Sequence, residues 1–285
     1  FGEMNKNEYF AKDMKYDLLL DDNGNYEGIP KFIIPTGNMV NPIIQGNFED
    51  ALAKYEAAFD ISTDDSELLA KIATLKLKLE DSDEALKCYS RAIEIDPQLS
   101  NSILGTSSIY QFQGDYENAS NLYKLSLKSN PNSATVWNNM GLCFLGINKF
   151  VYATSCLTKA YYLEPFTWGI AFNLGLALMN IGLYASAFIY MEAAATMKTD
   201  DYQIYMFLGI ILGELKDTNN ALTFYNKALS FGDNYLIHFN MAVTYIKNEM
   251  FSEAKSAYGR FKGSFGGGEN DYDEDIQEMM PMIES

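Results

Sequence analysis

Small and aromatic residues return along this chain at an interval of about 34 positions, and no other feature limits its fold as tightly. One set is Trp137, Met140, Gly141, Phe144, Ala153, Leu157, Ala160 and Pro165. The next set is Ala171, Leu174, Gly175, Leu178, Ala187, Met191 and Ala194, followed by Tyr205, Leu208, Gly209, Leu212, Ala221, Tyr225 and Ala228. A slightly shifted set holds His238, Met241, Ala242, Tyr245, Ala254 and Tyr258. Stepping backward gives Ile103, Tyr110, Ala119, Tyr123 and Pro131, then Leu69, Ile72, Ala73, Ala85, Tyr89, Ala92 and Pro97. Six sets in one register are too many for chance.

The order Trp, Met-Gly, Phe, Ala, Leu, Ala, Pro follows the tetratricopeptide pattern, in which each repeat is a pair of antiparallel helices. The expected fold is therefore all-α, a right-handed superhelical solenoid of helix-turn-helix pairs. Gly141, Gly175 and Gly209 let paired helices approach, and Ala153, Ala187 and Ala221 meet them from the second helix. Trp137, Phe144, Leu157 and Ala160 fill the space around those contacts, and the following repeat covers them. Pro97, Pro131 and Pro165 end a second helix or open the next link. We place the array at residues 46–265, with a lone second helix in GNFEDALAKYEAAFDIS. Residues 1–45 form a divergent opening whose Pro35 and Pro42 break any helix. Residues 266–285 hold a glycine joint, Gly266-Gly267-Gly268, and an acidic segment.

The balance of 21 basic against 38 acidic residues gives a net charge of −17. This opposes nucleic acid and any direct polybasic hold on anionic lipid, since both need clustered Lys and Arg. Apolar runs such as GIAFNLGLALMNIGLY are shorter than the roughly 18–20 residues of a membrane span. The opening FGEMNKNEYFAKD does not read as a secretory signal, and a Phe start reads as a fragment or a processed chain. Cys88, Cys143 and Cys156 are too few and scattered for a disulfide framework and read as free, buried thiols.

Chemistry finds little footing. His238 is the single histidine, it occupies a bulky core position, and no Asp or Glu stands at a suggestive spacing from it. DDNGNYEG from Asp21 and NDYDEDIQE from Asn270 resemble calcium loops but lack the glycine at the sixth position. No GxxxxGK[ST] occurs, and FGGGEN ends a helix instead of opening one. We expect no catalytic, cofactor or metal site.

Binding surfaces remain. First helices of such pairs line an inner face, and the residues beside the packing positions are Thr135, Asn138, Leu142 and Leu145; Phe172, Leu176 and Met179; and Gln203, Met206, Ile210 and Glu214. The list is apolar, which suggests a covering partner. Ala134 to Asn148 and Trp168 to Gly182 contain no basic residue, so a clamp for a peptide carboxylate is not expected there. Asn139, Asn173 and Asn240 recur at one repeat position and suggest an internal hydrogen-bond ladder.

Between Val136 and Tyr190 the chain resembles a more specific family. The pieces are Trp137-Asn138-Asn139, Gly141 to Phe144, Ser155-Cys156-Leu157, Tyr162-Leu163, Pro165-Phe166 with Trp168, Asn173 to Leu176 and Tyr184 to Phe188. Pro165-Phe166, Trp168 and YASAF are not dictated by the repeat pattern. They resemble the family of the fourth Bardet–Biedl syndrome protein, more weakly from Gly46 to Tyr258. The resemblance implies a non-enzymatic subunit of the BBSome, a coat-like complex that carries membrane proteins to and from cilia. It implies other BBSome subunits, a pericentriolar satellite protein and dynactin as partners, and a place in the cytoplasm, at the basal body and satellites, and in the cilium. The competing readings are a tetratricopeptide scaffold in another assembly and the regulatory repeats of a truncated enzyme.

Overall fold

The computed structural model describes residues 48–264, and over them every regular element is an α-helix. The divergent opening, both near-calcium loops, the glycine joint and the acidic segment lie outside the described residues. Helix α1 (Phe48–Ile61) is followed by six hairpins: α2 (Ser66–Lys78) with α3 (Ser82–Ile95), α4 (Ser100–Phe112) with α5 (Tyr116–Ser129), α6 (Ala134–Gly146) with α7 (Phe150–Leu163), α8 (Trp168–Asn180) with α9 (Tyr184–Met197), α10 (Tyr202–Glu214) with α11 (Thr218–Leu229), and α12 (Tyr235–Lys247) with α13 (Phe251–Ser264). The hairpins form an all-α solenoid in two compact units, one ending at Glu164 and one beginning at Pro165.

Each hairpin turns in the same way. The residue just past the first helix has positive φ: Glu80 (65°), Gly114 (77°), Asn148 (59°), Gly182 (77°), Lys216 (62°) and Glu249 (60°). The next N–H donates back to the carbonyl five residues earlier, as in Asp115 to Tyr110 (2.8 Å) and Leu183 to Leu178 (3.0 Å). This is a Schellman ending, which satisfies carbonyls that the helix leaves open. Gly114 and Gly182 take the left-handed conformation without steric cost. Asp81, Asp115 and Asp217 then cap the second helix, accepting from the N–H of Glu84, Asn118 and Asn220. Lys149 and Leu183 stand at that position in the middle hairpins and supply no side-chain cap. Pro97, Pro131 and Pro165 each follow the C-cap of a second helix, and the residues before them have left the helical conformation.

Within a hairpin the packing rests on three columns. Ala73, Ser107, Gly141, Gly175, Gly209 and Ala242 stand on the first helix, and all are buried. Ala85, Ala119, Ala153, Ala187, Ala221 and Ala254 face them from the second, almost fully enclosed. One turn later come Tyr89, Tyr123, Leu157, Met191, Tyr225 and Tyr258, also buried. A Cβ added to Gly141 would lie 2.6 Å from Leu157 Cγ, and one added to Gly209 would lie 2.7 Å from the Tyr225 ring. Ala160 is fully enclosed and Phe144 is buried with its ring 5.6 Å from that of Tyr152. Trp137 is half-buried, and its indole N–H donates to the Pro131 carbonyl (2.8 Å).

The buried tyrosines also carry polar hooks. The Tyr123 hydroxyl donates to Gln111 in its own hairpin (2.9 Å) and accepts from Asn139 in the next (3.3 Å). Tyr225 on α11 shares a hydrogen bond with Thr244 on α12 (3.0 Å). A buried hydroxyl without a partner costs about 1–3 kcal/mol, so these bonds specify which hairpin follows which.

The glycine contacts differ in how well the opposing side chain can move. A Cβ on Gly175 meets the flexible Met191 methyl at 3.0 Å, with backbone no nearer than 3.5 Å. Gly141→Ala and Gly209→Ala should each lower stability by about 1–3 kcal/mol. Gly175→Ala should change it by less than about 1 kcal/mol, because alanine's helix propensity offsets a small adjustment. Urea midpoints of the three variants check this order.

Candidate protein-interaction surface

Helices α6, α8 and α10 carry the residues expected to face a partner. The structure buries Asn138, Leu142, Leu145, Phe172, Leu176, Met179 and Met206. Thr135, Gln203, Ile210 and Glu214 are half-buried. For the seven buried residues the expected partner face is corrected to core. In α8 the whole run Gly169–Asn180 is buried, as befits a helix that is apolar on every side. Phe172 is 1% exposed and meets Phe207 edge-on, with ring centres 5.6 Å apart. Of the half-buried four, Glu214 is engaged inside the protein: it accepts from Lys247 on α12.

The three asparagines are internal. Asn139 donates to Tyr123, while Asn240 donates to the Leu236 carbonyl (2.8 Å) and points toward the Met206 sulfur (3.7 Å). Asn173 is buried on α8.

The second helices tell the opposite story. Val151, Tyr152 and Tyr162 on α7 and Ile189 on α9 are large and exposed. Their repeat positions carry charged or small residues in α3 and α13, so sequence periodicity alone gave no reason to single them out.

Two clusters bear on chemistry. Buried His238 bonds through Nε2 to Asp233 Oδ1 (2.7 Å). Contrary to the expectation of no suitably spaced acid, Asp233 lies five residues upstream of His238, in the loop before α12. Ser264 donates to the other Asp233 oxygen (3.4 Å), and these residues border an open cleft of about 400 Å³ with Leu229, Arg260 and Gly263. The carboxylate stands between hydroxyl and imidazole, whereas activating a serine nucleophile needs the imidazole between hydroxyl and carboxylate. The cysteines are free thiols. Burial pushes Cys143 up to about 12 and Cys156 up to about 11, away from the low values of reactive thiolates. Among the described residues no group of His, Cys, Asp and Glu could hold a metal, and no helix is long and apolar enough to cross a membrane.

Two measurements check this account. Phe172→Glu should unfold the chain or lower its stability by more than about 3 kcal/mol, since it buries an unpaired charge; Gln203→Glu should shift the thermal midpoint little. Folded Cys143 keeps its proton up to about pH 12, whereas the unfolded thiol loses it near 9. Above pH 9 the unfolded state binds fewer protons, so stability falls as pH rises. Between pH 9 and 10 the loss should be about 1 kcal/mol for this thiol, and Cys143→Ala should flatten the urea-midpoint profile.

Comparison with known proteins agrees with this architecture. Family models described as tetratricopeptide repeat match residues 43–102, and residues 106–133 and 202–231. BBSome complex member BBS4 of Bos taurus is 34% identical over 202 residues, covering 70% of this chain and 39% of the relative. BBSome complex member BBS4 of Mus musculus is 34% identical over 221 residues, covering 77% and 42%. The chain thus spans about two fifths of the length of these curated relatives. The crystal structure of an APC/C hetero-tetramer, Cut9-Hcn1, aligns with a TM-score of 0.64 at 14% identity, over 84% of this chain and 46% of that one, a likeness of fold alone. By its hairpins and its relatives, the chain is built of tetratricopeptide repeats and is a homologue of BBSome complex member BBS4.

Proposed function

We propose that this chain is a non-enzymatic scaffold subunit of the BBSome. It works in a coat-like complex that traffics membrane proteins to and from cilia. The observation that carries the reading is the one-third identity to BBS4 proteins over 70–77% of the chain. The mechanism is shape: each hairpin contributes a few contacts to partners. The array is taken as residues 46–265, preceded by a divergent segment and followed by an acidic one.

Its partners are the other BBSome subunits, and on the finer reading a pericentriolar satellite protein and dynactin. It reaches membrane only through the complex and binds no nucleic acid, in keeping with its net charge of −17. Its place is the cytoplasm, the basal body with its satellites, and the cilium. From the inner set, contact with partners falls to the half-buried Thr135, Gln203, Ile210 and Glu214.

The test is affinity purification of the tagged chain from ciliated cells, read by mass spectrometry. The expected result is the remaining BBSome subunits in near-equal amounts. Recovery of chaperones, of an enzyme partner, or of nothing in stoichiometric amount overturns the reading.

A further inference from the structure

Charge is distributed unevenly along this acidic chain. From Asn118 through Leu163 there are four lysines, Lys124, Lys128, Lys149 and Lys159, and no Asp or Glu. Glu117 and Glu164 bound the stretch at its two ends. Both second helices of this region, α5 and α7, lie in the same compact unit.

Two of these lysines lie against aromatic rings. Lys124 Nζ on α5 lies 5.8 Å from the centre of the Phe144 ring, which is 5.6 Å from that of Tyr152 on α7. Farther along α7, Lys159 Nζ lies 5.2 Å from the Tyr162 ring centre. Val151, Tyr152 and Tyr162 are 69%, 63% and 77% exposed. They occupy the side of α7 away from its buried Ala153, Leu157 and Ala160. Lys128 is exposed one turn beyond Lys124 on α5. In α3, by contrast, Asp83, Glu84 and Glu94 accompany Lys87 and Arg91.

We propose that this face of α5 and α7 docks an acidic segment, bearing aliphatic or aromatic side chains, on another subunit of the assembly. The inference rests on the scaffold reading above. Charge complementarity selects the occupant: a chain of net −17 repels acidic segments in general, and this stretch offers four lysines with no Asp or Glu between Glu117 and Glu164. Lysines placed over rings present charge and apolar area together, so carboxylates pair with Lys124 and Lys159 while apolar groups cover Val151 and Tyr162.

The probe is a labelled peptide built from repeats of Glu-Asp-Leu-Tyr, titrated with the full chain and followed by fluorescence anisotropy. A peptide of Lys-Lys-Leu-Tyr repeats is the control. The acidic peptide should bind, and its affinity should fall severalfold between about 0.05 and 0.5 M salt as screening shortens the reach of the lysines. Lys124→Glu with Lys159→Glu should weaken binding about tenfold. Lys71→Glu with Lys255→Glu makes the same change in net charge elsewhere and should weaken it less than about twofold. Equal loss in both pairs, equal binding of the two peptides, or indifference to salt overturns the proposal. So does binding to phosphatidylserine vesicles in place of the acidic peptide. In ciliated cells, loss of a subunit from the Lys124→Glu, Lys159→Glu chain supports the docking face. Full recovery of every subunit with that variant overturns it and leaves the subunit reading standing.

Discussion

The distance between the two helices of a hairpin is the constraint on which the rest of this fold depends. Gly141 shows it most directly: the position its Cβ would take is 2.6 Å from Leu157, closer than two carbons can stand. With the axes so close, the residue opposite must also be small, and it is alanine in all six hairpins, from Ala85 to Ala254. Bulk is displaced one turn further, to the buried Tyr89, Tyr123, Leu157, Met191, Tyr225 and Tyr258. A helix pair built this way buries one seam but leaves its flanks apolar, and stacking against a neighbour resolves that.

Apolar packing alone would let hairpins stack in any order. The polar hooks restrict it. Tyr123 needs Gln111 behind it and Asn139 ahead, and Tyr225 is matched by Thr244. Glu214 and Lys247 add a charge pair between α10 and α12. Leu157 and Met191 replace the tyrosine in the middle hairpins, which also lack side-chain caps on α7 and α9. These hairpins rely on shape where their neighbours rely on hydrogen bonds.

Much of this was legible in the sequence because a 34-residue period fixes which positions pack. The turns were less legible: Gly114 and Gly182 are glycines, which favour positive φ, whereas Glu80, Asn148, Lys216 and Glu249 take it because the Schellman ending imposes it whatever the side chain. The inner face was misread for a physical reason. Leu142, Phe172 and Met206 are apolar, and apolar residues beside packing positions look alike whether a partner or the protein's own core covers them. Periodicity gives the direction of a side chain along one helix but not what stands opposite. His238 and Asp233 are a similar case, since only the path of the loop brings carboxylate to imidazole.

Burial is unequal along the array. Helix α1 buries none of its residues, α2 buries four, and α8 buries twelve in succession. Backbone amides exchange with solvent through the least costly opening available to them. Fraying is enough to release those of α1, whereas those of α8 need its packed partner α9 to come away. The repeats are alike in shape but unequal in permanence, and an assembly that gripped α1 would supply the burial its own residues lack.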